Sequence, residues 1–485
     1  MKRFKIFVYI MLLAVVGLLT ACNDDDSFTT SLNNQLTFSS DTIRLDTTFS
    51  KVPTSTKTFW VYNHSGDGIK LANVRLEQGN QTGFRVNVDG IYLGQAMGYQ
   101  VNDLEVRDKD SIRVFVELTS PLNGGTEPKF IEDNLIFTLE SGAVQKVNLN
   151  AYSWDAEMIK NLDVTQNTVL QSEKPLVIQG GIKVAEGATL TIAAGTTLYF
   201  SNKAGIDVSG KLKIEGTADK VVTLRGDRLD KMFDYLPYDH VSGQWQGVHF
   251  QKSSYDNEIA YADIHSAYNG IVCDSSDINR STLKMQRSTI HNCQGFGILA
   301  TNCNVDLSNC QITNTLNDCA AFIGGKVVLS HCTLAQFYPF DGNRGAALKF
   351  GNTITGKDYA LVQFDVLNSL VTGYADDVVM GSFNDKTEQH YKFEHSILRT
   401  MEPKELDANK FVSIQWEDPK DTIQSGEKHF IKIDADKQNY DFHLSEKSKA
   451  RDIGYTLPNG TSKTDHDGVA RDDKPDVGCY EFKEK

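Results

Sequence analysis

Long apolar runs are scarce in this chain. Beyond Ile6 to Leu19, no segment approaches the roughly 20 apolar residues that cross a bilayer as a helix, which excludes further spanning helices. Basic charge is also scarce: 49 Lys and Arg stand against 63 Asp and Glu, giving a net charge of −14 with no basic stretch to reverse it. Nucleic acid and anionic headgroups are therefore not expected partners. None of the 8 cysteines stands in a CxxC or in a Cys/His spacing suited to zinc. Apolar and aromatic content is ordinary for a globular protein, and 485 residues suffice for two or three domains.

What is present begins with Lys2, Arg3 and Lys5 ahead of the apolar run, which ends in Leu19-Thr20-Ala21-Cys22. That order reads as a signal peptide over residues 1–22. The last four residues resemble the lipobox of bacterial lipoproteins, which implies acylation of the Cys22 sulfur with palmitate-type chains. Each buried methylene contributes about 0.8 kcal/mol, so several chains on one residue anchor stably. Asn23-Asp24-Asp25-Asp26-Ser27 resembles the acidic export signal of some outer-membrane lipoproteins and implies an outward-facing location. Residues 23–34, polar and acidic, are expected to form a flexible tether.

Over residues 35–154, short alternating segments recur between turn signals: 35–38, 57–62, 84–88, 111–116 and 134–139. Period-two alternation broken by Asn63-His64-Ser65-Gly66 and Asn123-Gly124-Gly125 predicts an antiparallel sandwich of immunoglobulin-like size. The core cysteine pair of antibody domains is absent.

From about Leu162 the pattern changes to short apolar strands punctuated by Gly and Asn. Segments beginning at Tyr261, Arg287, Asn309, His331, Asn368 and His395 superpose, aligning Ile264, Ile290, Ile312, Leu334, Val371 and Leu398 at intervals of 26, 22, 22, 37 and 27. An interval near 22, lengthened by loops, suits one turn of a three-stranded parallel β-helix, whose equivalent residues stack about 4.8 Å apart. Ser288, Cys310 and Cys332 then form one column of small residues, and the cysteines are expected to be small buried apolar groups. Gly187, Gly195 and Gly210 are expected at corners needing positive φ.

Residues 165–480 resemble the right-handed parallel β-helix proteins of the pectate-lyase-like superfamily. Gly243-Gln244-Trp245-Gln246-Gly247-Val248 matches a Trp-x-Gly-Ile/Val motif common in such lipoproteins. Asp465-His466-Asp467-Gly468, Arg471 and Pro475 to Glu481 resemble their end-cap ending. The expected fold is thus all-β, an N-terminal β-sandwich followed by a right-handed single-stranded parallel β-helix over 155–485 with a C-terminal cap.

The resemblance implies that any chemistry would come from carboxylates, Ca²⁺ and a basic residue on one outer face. Asp376-Asp377 is the best acidic pair for hydrolysis. The Gly-His-Gly and Arg-x-Lys elements of polygalacturonase-like members are missing, so a solvated turn is expected there. Arg225, Asp227 and Arg228, with Asp230 and Lys231, offer the mixed charges of a lyase site and equally those of a salt-bridged loop. Asp465, Asp467 and Asp473 suggest structural Ca²⁺ without the spacing of a twelve-residue calcium loop. A network of Asp467, Arg471, Asp476 and Glu481 is expected instead, and no cofactor. His265 and His291 align one coil apart; no carboxylate or third histidine joins them in register, so a satisfied ladder is expected rather than a metal site.

Aromatic residues cluster in the 226–244 insertion (Phe233, Tyr235, Tyr238, Trp245) and in a later loop (Phe337, Tyr338, Phe340). Loops on a rigid scaffold concentrate binding residues, and aromatic faces suit sugars and protein interfaces. The expected function is a non-catalytic, surface-exposed outer-membrane lipoprotein that binds a glycan or an envelope protein. A polysaccharide lyase or glycoside hydrolase acting on acidic polysaccharide is one alternative, and a structural subunit of an outer-membrane barrel complex is another.

Overall fold

The computed structural model describes residues 27–458 and 460–484. The expected signal peptide, the Cys22 lipidation site and the acidic start of the tether lie outside the described residues. Within the tether's remainder, Phe28 pairs with Gly68, and the Thr29 N–H donates to the Gly68 carbonyl at 2.8 Å. The chain divides into two compact units, Met1–Asp155 and Ala156–Lys485.

In the first unit, two five-stranded sheets form a β-sandwich. One sheet runs Thr37–Phe38, Lys57–Tyr62, Ser111–Leu118, Phe84–Val88 and Ile91–Tyr92; the other runs Thr42–Phe49, Val144–Trp154, Lys129–Leu139, Ile69–Leu76 and Gln100–Val106. Alternation builds the core: Ile112, Val114, Val116 and Leu118 face inward with Phe59, Val61 and Phe137. One pairing departs from the antiparallel expectation, because Thr42–Phe49 runs parallel to Val144–Trp154.

The second unit is a parallel β-helix with three strands per coil, arranged as an 11-stranded and a 17-stranded sheet. Leu224, Ile264, Ile290, Ile312, Leu334, Val371 and Leu398 stand in register on successive strands of the smaller sheet, all buried. The corner leading into this sheet repeats one backbone device. Tyr261, Arg287, Asn309, His331, Asn368 and His395 have φ between 46° and 52°, in the left-handed region. The next residue is small and buried in each case: Ala262, Ser288, Cys310, Cys332, Ser369 and Ser396. Where that residue is serine, its hydroxyl accepts the backbone N–H of the equivalent residue one coil earlier. Ala262 donates to Ser288, Cys332 to Ser369 and Ser369 to Ser396, each at 3.0 Å. All seven cysteines among the described residues are buried thiols.

Gly187 and Gly195 have positive φ, whereas Gly210 does not. Its reason is close approach, since a Cβ there would collide with the carbonyl oxygens of Ala185 and Ala188.

The C-terminal segment lies along the flank of the coils, which corrects the expectation of an end cap. Phe430, Phe442, Leu444, Ala450, Val477, Cys479 and Tyr480 pack against Ala335, Phe337, Leu370 and Ile397 on the outer face of the smaller sheet. The left-handed corners act as its rail. Arg287 Nε donates to the Asp465 carbonyl at 3.0 Å, Asn309 Nδ2 to the Thr461 carbonyl at 3.1 Å and Asn368 Nδ2 to the Tyr455 carbonyl at 2.7 Å. His331 and His395 lie 3.2 Å from the carbonyls of Asp476 and Ile453. Residues in the left-handed region turn their side chains away from the coil, so five successive corners present polar groups to one strap.

Arg471 fastens the strap. Its buried guanidinium donates to Glu481 Oε2 at 2.9 Å, Asn309 Oδ1 at 3.0 Å and the carbonyls of Asp476 and Gly478 at 3.1 and 2.9 Å. Asp467, expected in this network, pairs instead with His443 at 3.0 Å and His466 at 3.3 Å. Arg471→Ala leaves Glu481 buried without its cation and is expected to destabilise the strap by roughly 3–5 kcal/mol. Hydrogen exchange over 430–482 measures it; protection equal to the parent's contradicts this role.

Candidate functional site

Among the described residues, several places on the β-helix gather chemical groups, and two of them adjoin a cavity or groove. The first is a charge chain beneath the 226–244 insertion. Tyr199, Arg225, His265 and His291 fall on one outward column of the smaller sheet, and Asp263, two residues before His265, shares that outward face. Arg225 Nη1 stands 2.8 Å from Asp239 Oδ1, which lies 2.8 Å from His265 Nε2. His265 Nδ1 and His291 Nε2 each lie 3.1 Å from the same oxygen, Asp263 Oδ1. The two imidazoles stack at 4.7 Å.

Burial alone would lower the His265 pKa, but the Asp263 and Asp239 carboxylates outweigh it and raise it to about 9. Burial would likewise raise Asp263, yet His265 and His291 hold it well below the usual carboxylate range. His240, at the end of the insertion, is pushed down by burial, and its Nδ1 has no hydrogen-bond partner. His240 and His291 together line a cavity of about 450 Å³ bounded on its far side by Lys437 to Tyr440.

The second place is a groove of about 620 Å³ across the first coils. Asp163, Lys183, Asp207 and His249 stand in register on four successive coils, and Gly180, Gly181, Gly205 and Gly247 flank them. His249 lies near two carboxylates, with Nδ1 3.4 Å from Asp207 and Nε2 3.0 Å from Asp274. Sequence reading missed this column. Its signal was there: each is the central polar residue of an apolar-polar-apolar strand, as in Leu162–Val164, Ile182–Val184, Ile206–Val208 and Val248–Phe250.

The expected site residues are scattered. Asp376 and Asp377 are exposed, and Asp377 Oδ1 caps a turn by accepting the Val379 N–H at 3.1 Å. Besides holding Asp239, Arg225 donates to the Arg228 carbonyl at 3.0 Å. Asp227 accepts the Ser201 hydroxyl at 2.5 Å, and Arg228 grips Asp230 through two bonds of 2.7 and 2.6 Å while lying over the Tyr238 ring. These residues make the salt-bridged loop, one of the two readings their charges allowed. The calcium candidates do not converge among the described residues: Asp465 accepts the N–H groups of Asp467, Val469 and Glu481, Asp467 is held by histidines, and Asp473 is exposed.

The aromatic set divides. Trp245 is fully buried, stacks on Phe200 at 4.3 Å and donates Nε1–H to the His265 carbonyl at 2.8 Å. Phe337 is equally buried, edge-on to Tyr374 and Phe430 beneath the strap. Tyr338 is buried with its hydroxyl 2.8 Å from that of Ser242, joining the two loops. These three are packing residues and leave the binding set, because they fill the space that loops must close over. Phe233, Tyr235 and Phe340 are exposed, and the first two rings lie nearly parallel at 5.7 Å.

The family model described as a right-handed β-helix region matches residues 151–334. No curated protein matches the chain. Among solved structures it is similar to the VesB protease of Vibrio cholerae, at 14% identity over 26% of this chain and 33% of that one, TM-score 0.17. It is similar to the ASH/PapD-like domain of human CEP192, at 12% identity over 28% and 98%, TM-score 0.18. It is also similar to the catalytic unit of the GH87 α-1,3-glucanase of Streptomyces thermodiastaticus strain HF3-3, at 9% identity over 70% and 77%, TM-score 0.26. The chain spans about a third of the length of the first of these. TM-scores of this size carry no argument about chemistry.

Trp245→Ala is expected to cost roughly 3–5 kcal/mol, while Asp376→Asn and Asp377→Asn stay within about 0.5 kcal/mol. Urea unfolding of the three variants checks both. A stable Trp245→Ala protein would return that residue to the surface.

Proposed function

We propose that the chain is a surface-exposed outer-membrane lipoprotein, acylated at Cys22, whose β-helix binds a hydroxyl-rich glycan without cleaving it. The N-terminal sandwich is proposed to be an immunoglobulin-like spacer. The observation that carries this reading is the groove over Asp163, Lys183, Asp207 and His249. Its volume of about 620 Å³ falls in the range of about 300–1,000 Å³ usual for ligand sites. Its column interleaves the acidic Asp163 and Asp207 with Lys183 and His249, which suits neutral sugars better than a polyanion.

The same groove argues against hydrolysis. Inverting glycosidases hold two carboxyls about 6.5–9.5 Å apart around a water, and retaining ones about 5–5.5 Å apart around the sugar. Here the His249 imidazole occupies the space between Asp207 and Asp274. The exposed pair Phe233 and Tyr235 favours a second contact, either a sugar face or an envelope protein.

A glycan array with the soluble 27–485 chain tests the groove. Asp207→Ala combined with His249→Ala is expected to weaken retention at least about tenfold, since hydrogen bonds to charged groups contribute about 1.5–3 kcal/mol each. Retention unchanged in that variant, or no glycan retained by the parent, overturns the reading. Palmitate labelling of the full chain, lost in Cys22→Ser, tests the anchor.

A further inference from the structure

The charge chain beneath the insertion has the form of a metal site. Asp263, His265 and His291 each offer one donor atom, and those atoms all lie within 4.8 Å of one another. Bonds of about 2.0–2.1 Å to a tetrahedral ion set its donors about 3.3 Å apart. The two nitrogen-to-oxygen separations around Asp263 Oδ1 are already 3.1 Å. His265 Nδ1 and His291 Nε2 lie within 4.8 Å of each other, and the His291 ring is partly exposed.

Two further observations point to a ligand rather than to a plain ion-pair ladder. Metal-bound histidines hold their other ring nitrogen against a carboxylate or carbonyl, which fixes the tautomer. His265 does so, with Nε2 on Asp239 Oδ1 at 2.8 Å, and Asp239 is itself set by Arg225 at 2.8 Å. That bond leaves Nδ1 as the nitrogen facing Asp263. The site also has an entry path with a spare donor, because His291 opens onto the cavity that it lines with His240, whose buried Nδ1 has no partner.

We propose that Asp263, His265 and His291 bind a divalent transition-metal ion of the zinc class, with Asp239 orienting His265 and the fourth position facing the His240 cavity. Two imidazoles and one carboxylate are the donor set that such ions take when a position is left open.

The purified full chain, stripped with chelator and dialysed against Zn²⁺ or Co²⁺, tests this by metal content and by the visible absorption of bound Co²⁺. The expected result is one ion per chain, lost in His291→Ala and in Asp263→Asn, and bound about 10–100-fold more weakly in Asp239→Asn. Circular dichroism and thermal melting confirm that each variant is folded; His291 is partly exposed, so its loss does not empty the core. No stoichiometric metal in the parent, or metal retained equally by His291→Ala and Asp263→Asn, overturns the proposal. Neither outcome bears on glycan retention by the groove, which lies on the other sheet.

Discussion

Each coil of the β-helix hydrogen-bonds to the coil before and after it, so one register must hold along the whole stack. In-register stacking sets a column of Leu224, Ile264, Ile290, Ile312, Leu334, Val371 and Leu398 inside. It equally sets columns outside, where we propose that recognition is built. The groove column Asp163, Lys183, Asp207 and His249 and the chain Arg225, His265 and His291 are both consequences of that spacing. Side chains from different coils meet because backbone pairing brings their strands to about 4.8 Å.

The corner preceding the smaller sheet shows how a local requirement serves a larger one. A left-handed residue followed by a small one lets the coil turn while keeping its interior closed. Serine and cysteine both occur at the small position because both side chains are compact enough to be buried there, which accounts for Cys310 and Cys332 in the cysteine-rich stretch. The outward-turned corner side chains then bind the C-terminal strap. Burying Phe337, Leu370 and Ile397 under that strap removes the outer face of the smaller sheet's later coils from solvent.

Much of this was legible in the sequence. The six aligned anchors stand in the expected register, because apolar residues followed by fixed corner chemistry repeat even when loops stretch the interval. In the sandwich, Lys57–Tyr62 and Phe84–Val88 match the alternation. Thr42–Phe49 and Ile69–Leu76 were hidden because each carries a register shift, at Asp46 and between Leu71 and Asn73, that breaks period two. The aromatic residues misled for a different reason. A tryptophan between two glycines closes a coil as readily as it stacks on a sugar, and only burial separates Trp245 from Tyr235. The Asp263 partner of the histidine ladder was available from strand geometry, since residues two apart share a face, but Asp239 arrives from an insertion whose path no period encodes.

We propose that the rigid coils capture a glycan and leave it intact. The most direct test is to incubate the soluble chain with a glycan it retains and to follow that glycan's length and reducing ends over time. Unchanged chain length with the glycan bound is the predicted result. New reducing ends, or the absorbance of unsaturated uronides, would contradict it and make the groove an active site.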